Sequence, residues 1–296
     1  MPLPVDSEPH IRQKMSSNSS QQTVGVDTPV ADTEGTICDE LFELLYNITL
    51  AITHVTTLHI VQFFCVSVTI GSFMYEFFPI RESYFSNKHN FLNQYFVKLA
   101  WGWTMALHTP LIITTGLLQT PVNFLQTAMG LSRVLLVGTT VWFGWVEIVF
   151  QWVMQLTGSC IGDKNLTDVR SCFKAGHHWD GFDISGHCFL LIYSALLIHE
   201  ELRIVHQNST QIKPSLDAVA EKQTSKENKK DKLIFLQKFF TILLILLECL
   251  WMLMVSITAV YFHALSHKLI GAGIAILSWH VTYNIWYKMS LSPGSS

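Results

Sequence analysis

The stretch Leu233–Phe262 reads LIFLQKFFTILLILLECLWMLMVSITAVYF, about 30 residues in which Lys238 and Glu248 carry the only charges. A helix of about 20 apolar residues crosses a hydrocarbon layer roughly 30 Å thick, so this run is long enough to span a bilayer. Its apolarity is continuous and does not alternate residue by residue, which argues against a β-barrel strand.

Similar runs lie on both sides of it, near residues 55–78, 96–118, 134–156, 184–198 and 269–287. The fold class expected is therefore all-α, a polytopic membrane protein with about six transmembrane helices across residues 41–293. The last run ends in a Trp and Tyr cluster, Trp286 and Tyr287, of the kind that sits at headgroup depth. Residues 1–40 are rich in Ser, Thr, Gln, Pro and Asp and are expected to be a disordered tail, with a short mixed helix following at 41–50. No removable signal peptide is read in the first 50 residues.

Composition agrees with this reading. The chain is 49% hydrophobic and only 14% charged, whereas soluble domains carry about 25% charged residues. A net charge of −3 without a basic face speaks against nucleic acid as a partner, and membrane lipids are the expected surroundings.

Charge also orients the chain. Arg203, Lys213, Lys222, Lys226, Lys229, Lys230 and Lys232 crowd the connection at 200–232, which the positive-inside rule makes cytosolic. With six spans both termini then face the cytosol, and the connections at 79–95, 157–183 and 263–268 face the other side. None of the six cysteines shows metal-ligand spacing, and no metal or cofactor is expected. Cys160 and Cys172 share the 157–183 connection and are the one pair suited to a disulfide in an oxidising lumen. The same connection holds Asn165-Leu166-Thr167, a glycosylation acceptor pattern that also occurs at Asn18, Asn47 and Asn208.

The most informative polar stretch is Trp179-Asp180-Gly181-Phe182-Asp183-Ile184-Ser185-Gly186-His187, which opens the fourth run. Asp183 reads as a helix N-cap, and the Ser185 and Gly186 amides as first-turn donors without helical acceptors. The stretch is either an ordinary cap with a hydrated histidine, the commoner arrangement, or a phosphate cradle with an imidazole beside it. His263 closes the fifth run at the same expected membrane face as His187. Two imidazoles there could divide phosphoryl transfer, one attacking phosphorus and the other protonating the leaving oxygen. His177 and His178 read as a solvated turn, and His54 and His59 as headgroup contacts. Glu147 and Glu248 lie inside spans, where a carboxyl is expected to be protonated or paired.

Specific strings resemble one family. Glu82-Ser83-Tyr84-Phe85-Ser86-Asn87-Lys88 with Asn93-Gln94-Tyr95-Phe96-Val97-Lys98 is similar to the first lumenal loop of the fat storage-inducing transmembrane family. Gly181 to His187 with Phe189-Leu190-Leu191 resembles its fourth-helix signature, and Ala259-Val260-Tyr261-Phe262-His263 with Leu265-Ser266 its fifth-helix end. The resemblance covers about residues 75–293 except most of the basic connection.

It implies an endoplasmic reticulum membrane protein that supports lipid droplet formation and lipid balance. It also implies a lipid-phosphatase-like hydrolase that cleaves the diphosphate of fatty acyl-CoA into acyl phosphopantetheine and adenosine bisphosphate. His187 and His263 match the family's catalytic histidines; analogy with lipid phosphatases makes His263 the nucleophile and His187 the general acid. Asp183, Ser185, Gly186 and Ser256 are the substrate-binding candidates.

The wider lipid phosphatase pattern is incomplete. Ser256 is followed by Ile257 where an arginine is usual, and His267 stands where an aspartate is usual. What neutralises the phosphate and what orients His263 are left open, with Lys88, Lys98 and Lys268 candidates by location. The alternative implied function is a non-enzymatic diacylglycerol- or triacylglycerol-binding protein that partitions neutral lipid into droplets.

Overall fold

The structure, a computed structural model, describes residues 31–119, 121–163, 165–217, 224–289 and 293. The chain divides into two units, residues 1–41 and 42–296. In the first, the described residues form the opening turns of helix α1 (Ala31–Thr53), which begins inside the segment expected to lack structure; residues 1–30 of that tail lie outside the described residues.

The second unit is built from helices. They are α2 (Thr57–Phe77), α3 (Ala100–Leu118), α4 (Phe124–Leu131), α5 (Thr139–Phe143), α6 (Gln151–Thr157), α7 (Val169–Lys174), α8 (Gly186–Asp217), α9 (Thr224–Tyr261) and α10 (Leu265–Trp279). Helices α4, α5 and α6 form one continuous run over Phe124–Thr157, with π turns at Ser132–Gly138 and Gly144–Phe150 between them. A side-chain cap starts it, the Asn123 carboxamide accepting the Gln126 amide.

Among the described residues three helical stretches are long and apolar enough to cross a membrane: Thr57–Phe77, Phe124–Thr157 and Lys229–Tyr261. Helix α10 has only 15 residues, and α8 carries His199, Glu200, Glu201 and Arg203 beyond its apolar first half. Much of the connection expected at 200–232 is helical, since α8 continues to Asp217 and α9 begins at Thr224. The physical reason is that hydropathy stops at the first charges, whereas Glu, Lys, Gln and Leu all sustain a helix.

Helix α8 is the central element, packed by α9, α10 and α3. From Cys188 to Ile198 every residue is buried, as suits a helix that is apolar on all sides. Trp101 and Phe189 both stack on Tyr193 within this core. Helices α2 and α9 meet along small residues. A side chain on Gly71 would overlap Ala259, and nearby the Ser67 and Ser256 hydroxyls bond at 2.8 Å.

The segment between α6 and α8 folds into a small cap. Strands β1 (Ser159–Ile161) and β2 (His178–Asp180) pair antiparallel with Cys160 opposite Trp179. The expected disulfide joins Cys160 to Cys172 on α7. Trp179 Nε1 donates to Met154 O at 3.0 Å, and the Phe182 amide to Thr157 Oγ1 at 2.9 Å, which fastens the cap to the end of α6. The chain leaving β2 is thereby delivered to the start of α8 along a fixed path.

Candidate active site

Three segments converge at the start of α8: residues 181–187, the turn 262–264 between α9 and α10, and the first turn of α10. The Ser185 amide donates to His267 O at 3.1 Å, a backbone bond that ties α8 to α10. Ser185 Oγ accepts the Cys188 amide at 3.3 Å, so Ser185 is the N-cap of α8. The sequence reading gave that role to Asp183, a correction of two residues; Asp and Ser cap equally well, and only the position of the first turn distinguishes them. With its amide and hydroxyl both engaged and its side chain buried, Ser185 offers the cradle less than expected. The Gly186 and His187 amides keep the first-turn positions that have no helical acceptor.

Released from capping, Asp183 faces His263: its Oδ2 lies 3.7 Å from His263 Nδ1, with 55% of the Asp183 side chain and 26% of the His263 side chain exposed. That separation is an ion-pair distance rather than a hydrogen bond. It turns the Nδ1 edge of the imidazole toward a carboxylate and leaves Nε2 directed elsewhere. The missing aspartate of the sequence pattern thus has a substitute from a remote segment.

The backbone of His263 is unusual. Its φ of 57° makes it the one non-glycine residue with positive φ among the described residues. Helix α9 ends at Tyr261, and His263 takes the left-handed position just past a helix end that glycine normally fills. A side chain there costs on the order of 1–3 kcal/mol and persists only where the surroundings impose it. Here the surroundings are the Phe262 amide bonded to Thr258 O and the immediate start of α10 at Leu265.

His187 is exposed on the first turn of α8, and the charges of His263, Asp183 and Lys98 all act on its ring. The two histidines, remote in sequence, therefore share one electrostatic environment. Burial is the main cause that holds the His263 imidazole below its ordinary range, helped by the nearby His267 and Lys268 charges and partly opposed by Asp183. A neutral imidazole at neutral pH with a carboxylate on its Nδ1 edge has a nucleophilic Nε2.

The three lysine candidates separate cleanly. Lys268 is fully buried, donates to Ala259 O at 2.7 Å and lies 4.4 Å from the Tyr75 ring centre, so it holds the end of α9 in place. Lys98 is exposed, follows the π turn Leu92–Val97, and bonds Gln94 Oε1 at 2.8 Å while its charge reaches His187. The Lys88 carbonyl accepts Gln94 Nε2 at 3.3 Å, and among the described residues its ammonium group makes no hydrogen bond or ion pair with Asp183, His187 or His263. Ser256, the fourth substrate-binding candidate, is engaged by Ser67 and by Met252 O at 3.0 Å, within the α2–α9 seam rather than beside the histidines.

A second charged cluster was not anticipated. Glu201 stands 14 residues beyond His187 on α8, about 21 Å along the axis at 1.5 Å per residue. Its carboxylate accepts Arg133 Nε at 2.9 Å, Arg133 Nη2 at 2.8 Å and the Tyr283 hydroxyl at 2.9 Å, and Arg133 Nη1 donates to Pro293 O at 3.1 Å. Two residues before Glu201, buried His199 lies between Glu248 Oε1 at 3.1 Å and Val55 O at 2.9 Å. The paired carboxyl expected for Glu248 is found, while Glu147 is exposed on the π turn Gly144–Phe150.

Comparison with known proteins supplies the family. The profile described as "FIT: Fat storage-inducing transmembrane protein" matches residues 81–283. The human protein named acyl-coenzyme A diphosphatase FITM2 is 39% identical over 240 residues, covering 77% of this chain and 82% of its own length. The zebrafish (Danio rerio) protein of that name is 35% identical over 243 residues, covering 78% and 85%. The Drosophila melanogaster protein is 33% identical over 258 residues, covering 80% of this chain and 58% of its own. No solved structure matches the chain.

Proposed function

Since the chain belongs to the fat storage-inducing transmembrane protein family, we propose that it is an acyl-coenzyme A diphosphatase acting through His263 and His187. The observation that carries this reading is the approach of Asp183, four residues before His187 in the segment that opens α8, to His263 in the turn between α9 and α10.

In the proposed reaction, His263 Nε2 attacks one phosphorus of the diphosphate. A P–N bond forms, the bond from that phosphorus to the bridging oxygen breaks, and His187 gives a proton to the leaving oxygen. Water then attacks the phosphohistidine, loses a proton to His187 and frees His263. Asp183 steadies His263 and the positive charge that develops on it, as the acid of a catalytic triad does for its histidine. Lys98 and the free first-turn amides of α8 supply positive potential to the transferring phosphoryl group. The acyl chain stays among the membrane-facing side chains while the diphosphate reaches the histidines.

The finer setting belongs to the same proposal. The chain makes about six crossings of the endoplasmic reticulum membrane, with α3, the apolar half of α8 and α10 completing those of the three longer stretches. Both termini face the cytosol and the histidines the lumen, because the lysines opening α9 lie at the opposite end of that helix from His263. Acyl-CoA turnover at this face supports lipid droplet formation and membrane lipid balance.

The test is hydrolysis of long-chain acyl-CoA by purified protein, following acyl phosphopantetheine and adenosine bisphosphate, beside the His187→Ala and His263→Ala variants. Turnover by wild type and a loss on the order of 10²-fold or more in either folded variant is expected. Turnover that survives both substitutions would remove the assignment, and lipid partition by a folded protein with no turnover would favour the binding-only alternative.

A further inference from the structure

The cap between α6 and α8 carries a feature that catalysis does not use. Asn165-Leu166-Thr167 lies inside the loop closed by the Cys160–Cys172 disulfide, and Asn165 and Thr167 are both exposed. Asp163 shapes the turn: its Oδ1 accepts the Asn165 amide at 2.9 Å and its carbonyl accepts the Leu166 amide at 3.2 Å. Those bonds occupy the backbone and leave the Asn165 carboxamide pointing at solvent with no hydrogen bond among the described residues.

The other matches to the pattern are unequal to this one. Asn47 sits within α1, and the hydroxyl two residues on, that of Thr49, is buried and donates to Tyr46 O at 2.7 Å. Asn208 is in α8 beyond Arg203, toward the basic end of the bundle. Asn18 lies outside the described residues. Among the described residues, an exposed asparagine, an exposed Thr two residues on and a turn in place of a helix coincide at Asn165. The disulfide around it is an independent sign of compartment, since such bridges form where the lumen is oxidising, which is also where asparagine is glycosylated.

We propose that Asn165 is an N-glycosylation site, the donor being an oligosaccharide on a lipid diphosphate carrier. In the transfer the Asn165 amide nitrogen bonds to the first sugar carbon and gives up one proton, while the bond from that carbon to the carrier's diphosphate oxygen breaks and the lipid diphosphate departs. The site rests on the lumenal orientation proposed above. It is separate from the histidines in sequence, and its glycan marks which face of the membrane the cap occupies.

The experiment expresses the full chain in a cell with a secretory pathway and treats its membranes with an amidase that removes N-linked glycans. Wild type is expected to gain mobility on a denaturing gel, and Asn165→Gln and Thr167→Ala to migrate at the deglycosylated position before treatment, with acyl-CoA turnover unchanged. No shift in wild type, or a shift that persists in Asn165→Gln, overturns the assignment. In parallel, sealed vesicles are reduced and treated with a membrane-impermeant thiol reagent to probe Cys160 and Cys172. A protected cap without glycan removes this inference and leaves the orientation standing; a cap labelled from the cytosolic side removes both.

Discussion

The two charged clusters at α8 sit at opposite ends of its buried stretch, Cys188–Ile198, and are built on opposite rules. Around Glu201 the charges are matched: the carboxylate takes a two-pronged guanidinium and a tyrosine hydroxyl, and the guanidinium also reaches a backbone carbonyl. Around His263 the partners stand off. The nearest carboxylate is 3.7 Å away and half exposed, and the backbone is left-handed. A saturated cluster holds helices together; an unsaturated one has valences to offer a substrate. Charge alone does not reveal chemistry, but the degree to which charge is already satisfied does.

The sharpest way to break this comparison is at the unsaturated end. His263→Ala and His187→Ala are each expected to lower acyl-CoA turnover on the order of 10²–10⁴-fold. The thermal unfolding midpoint should barely move, because both rings are partly or largely exposed. A large loss of stability in either would make the histidines structural and erase the contrast.

The next effect has the opposite signature. Glu201→Leu leaves Arg133 buried without its partner and is expected to cost about 3–5 kcal/mol of stability, read as a lower midpoint of unfolding. Turnover per folded molecule should be unchanged. The double variant Arg133→Met, Glu201→Leu is expected to regain much of that loss, because burying matched apolar groups is often no worse than burying an ion pair.

Asp183→Asn probes the residue between the two regimes, with an expected fall in turnover of about 10-fold, equivalent to about 1.4 kcal/mol, and little change in stability. The pH profile distinguishes orientation from packing. Burial depresses His263, so the acid limb of wild-type activity should fall below pH about 6.5. Because the nucleophile must be neutral, activity is lost as pH drops through the His263 pKa. The Asp183 carboxylate favours the protonated ring, so its removal lowers that pKa further and moves the limb to more acid pH. A limb that stays put would show that Asp183 does not act on His263.

The smallest effect is expected at Lys98. Lys98→Ala should raise KM for acyl-CoA by up to about 10-fold with a modest fall in kcat, as loss of an exposed positive charge near the phosphate implies. Lys88→Ala, which changes the same net charge at a residue with no contact to the histidines, is the control.

Parts of this picture are plain in the sequence because they are local. The long apolar runs produce Thr57–Phe77 and the apolar part of α9 within a few residues of expectation, while the Phe124–Thr157 stretch ends as expected but begins ten residues before the expected 134. The pairing of Cys160 with Cys172 follows from their being the two cysteines of one connection. What the sequence conceals depends on tertiary placement. The partnership of Asp183 with His263 joins residues 80 apart, and nothing in the local pattern separates an aspartate that caps a helix from one that faces an imidazole two residues before the cap. Arg133 and Glu201 each look like a stray charge at the margin of a span until the fold brings them together. Helix ends were read where charge begins, yet α8 and α9 run on through charged residues because helix hydrogen bonding does not depend on apolarity.

The bond from the Ser185 amide to the His267 carbonyl has a consequence for how the molecule comes into being. One of its ends belongs to α10, which is synthesised after α8 and α9. Until α10 has emerged and docked, the start of α8 lacks its anchor and the turn bearing His263 has nothing beyond it to impose a left-handed backbone. In the proposed mechanism the docking of α10 therefore completes the site, and hydrolysis would report that α8, α9 and α10 have come together.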